Sequence, residues 1–181
     1  MSKISVHRDV DNIKGLCVIE PRIFSDKRGY LMESYNEKDF SEEGLSAKFV
    51  QDNEVFSRRG VLRGFHVNCN HPQGKLISVL DGEIFDVAID LRFNSPTYKK
   101  WYGVNLSDEN RKQLYIPEGF GHGYLALTDA KILFKVTAHW TAGDEIGFAW
   151  NSEDFNVDWP IKNPIQNESD KSSPDFSKIS L

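Results

Sequence analysis

The sequence predicts an all-β fold of the jelly-roll type. Helical periodicity is weak almost everywhere, short β-rich segments recur, and turn residues separate these segments at close intervals. Many short strands at this spacing are typical of an antiparallel sandwich or barrel. With 181 residues, the chain is long enough to bury one core. We therefore expect a single domain over 1–181, with a core of about 20–160 and an irregular, polar C-terminal arm over 161–181.

The individual strands are predicted from runs of β-branched and aromatic residues. They cover residues 76–80, 84–91, 102–106, 113–116, 124–127 and 132–140. Turn residues such as Asp81-Gly82 and Pro117-Glu118-Gly119 separate them. Short helices are predicted over 37–43 and near 169–172.

Composition excludes several classes of partner. The formal net charge of -5 argues against nucleic acid or an anionic membrane surface as the main partner, because both favour basic proteins. No run approaches the ~18 apolar residues of a membrane-spanning helix, and the N-terminal segment lacks the apolar stretch of a signal peptide. Cys17 and Cys69 are too few for a disulfide framework. We expect a cytoplasmic protein whose partner is a small molecule, bound through a local cationic pocket if it is an anion.

The stretch over 60–66, which contains Arg63 and His66, is followed closely by Lys75. Proton abstraction beside a carbonyl needs such a set, because the imidazole accepts the proton and the cations stabilise the enolate oxygen. From these residues alone, a structural histidine with surface cations remains the alternative. Residues 63 and 66 would face opposite sides of an ideal strand, so both can point inward only with a bulge or bend at Gly64.

The predicted strand over 84–91 carries Asp86 and Asp90 on one face and apolar side chains on the other. Asp86 therefore lies either on a solvated face or in the wall of a pocket.

Residues 117–122 have the pattern Pro-x-Gly-x-x-His, which resembles the second motif of the cupins, small β-barrels that often hold a metal. The first cupin motif requires His-x-His and then Glu. Here Asn68 stands in place of the second His, and Lys75 stands in place of the Glu. Two ligands are lost and a cation is gained, which opposes divalent metal binding. We therefore expect no metal and no other cofactor.

Further segments carry a closer resemblance, which runs from about Phe24 to Asp170. The chain resembles the nucleotide-sugar 3,5-epimerases typified by dTDP-4-dehydrorhamnose 3,5-epimerase. The matching segments are FSDKRGY (24–30) with Glu33, FVQDN (49–53), VLRGFH (61–66), QGKL (73–76), GEIFDVAID (82–90), QLYIPEGFGHG (113–123) and WP (159–160).

The resemblance implies a cupin-like jelly roll, a metal-free homodimer and a nucleotide-sugar substrate. It implies an epimerase that inverts C3, C5 or both of a nucleoside-diphosphate 4-keto-6-deoxyhexose, for deoxysugar and surface polysaccharide biosynthesis. The nucleotide (dTDP, CDP or GDP) and the final sugar stay open.

Matching positions imply the site residues. The implied base is His66, paired with Asp170, while Arg63 and Lys75 face the C4 oxygen of the sugar. The implied substrate contacts, some of them reaching across the dimer, are Phe24, Arg28, Glu33, Gln51, Asn53 and His122. From its place in the strand, Asp86 is predicted to join them as a pocket carboxylate.

One position departs from the family pattern. Members usually carry a Tyr, the acid that returns a proton opposite the base, where this chain has Phe134. Strand parity places His139 on the opposite face from Phe134, so we expect an exposed histidine there. Three alternatives remain: another hydroxyl such as Tyr124 or a water delivers the proton, only one centre is inverted, or the protein binds a nucleotide sugar without converting it.

Overall fold

The computed structural model describes residues 3–180; Met1, Ser2 and Leu181, at the two ends of the predicted domain, lie outside the described residues. Within this range the chain forms thirteen strands and two short α-helices. The strands are β1 (Ile4–His7), β2 (Cys17–Pro21), β3 (Ile23–Asp26), β4 (Gly29–Met32), β5 (Gln51–Ser57), β6 (Leu62–Asn68), β7 (Lys75–Asp81), β8 (Glu83–Asp90), β9 (Trp101–Ser107), β10 (Gln113–Ile116), β11 (Phe120–Ala126), β12 (Ala130–Val136) and β13 (Glu145–Gly147). The helices are α1 (Glu37–Glu42) and α2 (Glu168–Lys171).

The strands form two antiparallel sheets and a separate hairpin. The larger sheet has the order β1-β2-β10-β7-β12-β5, and the smaller has the order β13-β6-β11-β8-β9. Strands β3 and β4 pair only with each other. This arrangement confirms the predicted all-β sandwich. Both N-terminal strands belong to the larger sheet, so the sheet begins well before residue 20.

The predicted strand over 132–140 is too long. Strand β12 ends at Val136, where its pairing with β5 and β7 also ends. The parity argument therefore does not extend to His139 and Trp140. Both side chains are exposed, so the predicted exposure of His139 is confirmed although the strand does not reach it.

Strand β8 is buried on both faces, which explains its mixture of apolar and acidic residues. Ile84 and Ala88 join the core between the two sheets, whereas Val87 and Ile89 face a second apolar cluster on the other side of the smaller sheet. Phe176, from the C-terminal arm, packs into this second cluster. Burying such a side chain contributes about 1.5–3 kcal/mol, so the arm is a packed part of the domain.

Candidate active site

A cavity of about 430 Å³ lies between the two sheets at the end where β6, β7 and β11 meet the C-terminal arm. Strands from both sheets contribute to its wall, and α2 covers one side. All four residues predicted to be catalytic line this single cavity: Arg63, His66, Lys75 and Asp170. Residues more than a hundred positions apart in the chain are thus brought to one place.

His66 and Asp170 form a hydrogen-bonded pair. The Nε2 atom of His66 lies 2.8 Å from Oδ1 of Asp170. The side chain of Asp170 is 3% exposed and that of His66 is 27% exposed, so the carboxylate is buried behind a ring that reaches the cavity. The Asn167 side chain caps α2 by accepting the Asp170 backbone N–H at 2.7 Å, which fixes the carboxylate. Because Nε2 faces Asp170, Nδ1 is the ring nitrogen turned away from that carboxylate.

A bulge in β6 places Arg63 and His66 on the same wall. The register of β6 against β11 pairs His66 with His122 but Arg63 with Tyr124, so two intervening residues of β6 oppose one of β11. Gly64 lies in the bulge with a φ of +108°, and a Cβ there would be 2.6 Å from the backbone oxygen of His122. The bulge that the sequence requires at Gly64 is therefore present, and only glycine fits it without strain.

Two cations face the cavity without a carboxylate partner. Neither Arg63 nor Lys75 makes an ion pair within 4 Å among residues 3–180. Burial lowers the pKa of the Lys75 ammonium, while the carboxylates of Glu145 and Asp86 act in the opposite direction. The site therefore holds positive charge that an anionic oxygen of a ligand can pair with.

His122 lines the same cavity, whereas Asp86 does not. The Nε2 atom of His122 lies 2.7 Å from Oδ1 of Asp86, and Asp86 is fully buried. Asp86 shares the inward face of β8 with Ile84 and Ala88, which excludes the solvated alternative. The Asp86 carboxylate lies behind His122 rather than in the wall of the cavity, and its predicted contact with the substrate stays a prediction.

The predicted nucleotide-binding residues divide into two groups. Gln51 and Asn53 line the cavity, and the Gln51 amide donates to the Asn53 carbonyl oxygen at 2.8 Å. Phe24 and Arg28 lie on the β3–β4 hairpin instead, and Glu33 follows it, bonded to Lys3 and Asn36. Phe24, Arg28 and Glu33 therefore do not line the cavity of their own chain. Within residues 3–180, the hairpin that carries Phe24 and Arg28 pairs with neither sheet.

The Phe134 ring packs beside a phenol from the opposite sheet. The ring of Phe134 lies 6.0 Å from the ring of Tyr124 and 6.1 Å from that of His122. The hydroxyl of Tyr124 is hydrogen-bonded to that of Ser57 at 2.9 Å, and Arg63 Nε donates to Ser57 at 3.1 Å.

Sequence reasoning did not select several residues of the wall. Glu145, on edge strand β13, places a carboxylate oxygen 3.6 Å from Nδ1 of His66. The other such residues are Glu54, Val55, Gln73, Val136, Trp140 and Asn167. The sequence signal for Glu145 is weak, because a single acid in a three-residue edge strand looks like any exposed charge.

The donor set does not fit a divalent metal. Lys75 places its ammonium where a cupin would supply a carboxylate, and the Nε2 atoms of His66 and His122 both face buried aspartates. Within residues 3–180, no group of three or more His, Cys, Asp or Glu side chains has the geometry to hold a metal ion.

Comparisons with known proteins agree with this geometry. The sequence profile described as dTDP-4-dehydrorhamnose 3,5-epimerase matches residues 11–178. The chain belongs to this epimerase family. A dTDP-4-dehydrorhamnose 3,5-epimerase of Methanothermobacter thermautotrophicus is 52% identical over 152 residues, which cover 83% of this chain and 82% of the relative. The resemblance inferred from the motifs is confirmed.

Solved structures of the epimerase family share the fold. The epimerase of Legionella pneumophila, in complex with dTDP-4-keto-L-rhamnose, has a TM-score of 0.92 and 38% identity, covering 98% of this chain and 95% of that one. ChmJ, a 3'-monoepimerase of Streptomyces bikiniensis in complex with dTDP-quinovose, has a TM-score of 0.85 and 28% identity, covering 91% and 85%. The predicted cupin-like jelly roll is confirmed. In the part of the chain that the structure describes, no helix is long and apolar enough to cross a membrane.

Proposed function

We propose that this protein is an epimerase that inverts C3, C5 or both of dTDP-4-keto-6-deoxyglucose. One observation carries the proposal: the His66–Asp170 pair and two cations without carboxylate partners face the same cavity. The C4 ketone of such a sugar acidifies the hydrogens on both neighbouring carbons. Loss of one of them gives an enolate, and return of a proton to the opposite face inverts that centre.

His66 acts as the base in this mechanism. Asp170 accepts a hydrogen bond from Nε2–H, which leaves the lone pair of Nδ1 free to take the substrate proton. Once the ring is protonated, the buried carboxylate stabilises the imidazolium. General-base catalysis of this kind contributes roughly 10²–10⁴-fold to a rate.

Lys75 and Arg63 stabilise the enolate. Their charges face a partly enclosed cavity, where charge interactions are stronger than in water. Removing one such donor from a transition-state oxygen typically costs about 10²–10³-fold in rate. A protein that only bound the sugar would not need a base paired with a carboxylate.

The active unit that we propose is a homodimer. The β3–β4 hairpin exposes Phe24, Tyr30 and Leu31 and carries Arg28, outside the chain's own cavity. A second copy of the chain would cover these apolar side chains, and its cavity would receive Phe24 and Arg28 next to the nucleotide. We also propose a cytoplasmic location, since Cys17 and Cys69 are both free thiols, as in a reducing compartment.

A second candidate is a single-centre epimerase. Phe134 cannot donate a proton, and ChmJ, which shares the fold, is a 3'-monoepimerase. Inversion at one carbon alone would follow if proton delivery reached only that carbon.

Proton NMR of dTDP-4-keto-6-deoxyglucose in D₂O tests the proposal. A double epimerase incorporates deuterium at C3 and C5, whereas a single-centre enzyme labels one carbon. His66→Asn is expected to lower the rate by about 10²–10⁴-fold, because no base remains, while dTDP binding measured by calorimetry stays unchanged. His139→Asn, which alters an exposed histidine outside the cavity, is the matched control. A His66→Asn variant with the wild-type rate would show that the base lies elsewhere.

A further inference from the structure

The site has a base but lacks the phenol that the family pattern places on β12, where this chain has Phe134. Inversion needs a second proton-bearing group, because a base that returns its own proton restores the original configuration. We propose that Tyr124, on the neighbouring strand β11, is the acid that returns the proton to the enolate. This inference rests on the proposed epimerase function and identifies a residue that carries it out.

Tyr124 reaches the correct side of the cavity. Its backbone belongs to the smaller sheet, but its hydroxyl contacts Ser57 on β5, in the larger sheet. Its ring packs against that of Phe134, also in the larger sheet. His66 lies on β6 beside α2 and β13, within the smaller sheet. The Tyr124 hydroxyl therefore lies against the larger sheet, whereas the His66 imidazole lies beside α2 and β13. Proton removal and return on opposite faces of a sugar require two such separate positions.

Counting hydrogen bonds shows that the phenolic proton is available. Ser57 is buried, and its hydroxyl oxygen already accepts from Arg63 Nε, so its single hydrogen needs an acceptor. The Tyr124 oxygen is the only such acceptor among residues 3–180. If Ser57 donates to Tyr124, then the phenolic hydrogen of Tyr124 has no acceptor among the side chains that the structure describes and can point into the cavity.

The surroundings suit a phenol that releases a proton and recovers it. Burial raises the pKa of Tyr124, so the hydroxyl is protonated at neutral pH, and the nearby charge of Arg63 acts in the opposite direction. In the step, the phenolic O–H bond breaks and leaves its electrons on the phenolate oxygen. The π electrons of the enolate C=C bond form the new C–H bond, and an electron pair of the enolate oxygen re-forms the C4 carbonyl. The resulting phenolate accepts the Ser57 hydroxyl hydrogen bond. Proton exchange with water then returns Tyr124 to the phenol and His66 to the neutral imidazole.

The test separates deuterium exchange from inversion. In Tyr124→Phe, His66 still removes a proton and can return a deuteron to the same face. We therefore expect inversion to fall by about 10²-fold or more, while deuterium exchange with retained configuration continues. The double variant Tyr124→Phe/Phe134→Tyr moves the hydroxyl to the neighbouring ring. Its inversion rate should be at least about tenfold higher than that of Tyr124→Phe. Tyr115→Phe, which changes a phenol outside this cavity, should stay within about twofold of wild type.

Each outcome decides the proposal. Wild-type inversion by Tyr124→Phe would overturn it, since a water or another group would then deliver the proton. An equal loss of exchange and inversion that the double variant does not restore would also overturn it, because it would indicate a structural role. If the wild-type protein catalysed neither exchange nor inversion, the proposed function itself would fail. This result is distinguishable from the two outcomes above, because in both of them the wild-type protein is active.

Discussion

Replacing Gly64 by alanine tests whether the bulge in β6 positions the catalytic residues. The residue has a φ of +108°, and an added Cβ would lie 2.6 Å from the backbone oxygen of His122 and 2.8 Å from Cα of Gly123. Both contacts are with backbone, so no side chain can rotate away. Strand β6 would have to move relative to β11, and this movement would displace Arg63 and His66 from one another.

The expected loss of stability has two parts. A positive φ costs an L-residue roughly 1–2 kcal/mol, and overpacking against rigid neighbours costs about 1–3 kcal/mol. The free energy of unfolding should therefore fall by about 2–5 kcal/mol. Gly143→Ala is the matched control, because Gly143 has a φ of +79° and nothing within 4 Å of the added Cβ. Its loss should be limited to about 1–2 kcal/mol.

Urea denaturation followed by circular dichroism measures both variants, and the NMR assay measures turnover of the folded protein. A displacement of about 1 Å in a catalytic group can cost around 10²-fold in rate, so Gly64→Ala should lose activity beyond its loss of stability. Equal urea midpoints for the two variants, together with wild-type turnover by Gly64→Ala, would refute the assignment of this role to the bulge.

Two further predictions concern charges. Lys75→Met should lower turnover by about 10²–10³-fold, yet raise the free energy of unfolding at pH 7, because burial lowers the pKa of the Lys75 ammonium and so opposes its charged form. Lys131→Met, at an exposed position, should change neither turnover nor urea midpoint. Burial alone would raise the pKa of Asp90, but hydrogen bonds from neighbouring side chains lower it to about 2 from 3.8. Because the folded state lowers this pKa, the ionised Asp90 stabilises the fold; this contribution is present above pH 3.8 and is lost as the pH falls toward 2. Asp90→Asn should therefore lower the free energy of unfolding, measured by urea denaturation, by about 2 kcal/mol at pH 7 and by much less at pH 2.5. An Asp90→Asn loss no larger than that of exposed Asp158→Asn, or one that is the same at both pH values, would contradict this reasoning.

The sequence predicted the fold from local signals, whereas the pairing of His66 with Asp170 was implied only by the resemblance to the epimerase family. The alternation in β8 and the turn residues between strands indicated a sandwich, and the separation of Arg63 from His66 required the bulge at Gly64. The end of β12 could not be predicted, because the residues after Val136 keep a strand-like composition although no neighbouring strand remains to pair with them.

Other parts of the site depend on contacts that sequence reasoning does not reveal. Asp86 lies behind His122 because the inward face of β8 is enclosed by the second sheet. Glu145 approaches His66 through an edge strand of only three residues. The hydrogen bond between Ser57 and Tyr124 crosses from one sheet to the other, and no periodicity along either strand indicates it.

The distance along the chain between His66 and Asp170 bears on how the enzyme becomes active during synthesis. The carboxylate follows its imidazole by 104 residues and lies on a short helix held by the arm that packs Phe176 beside Phe148 and Phe155. Every strand of both sheets leaves the ribosome before Asp170 does. The strands of a nascent chain can therefore pair while the imidazole still lacks its carboxylate, and docking of the arm, which emerges after both sheets, completes the pair between His66 and Asp170.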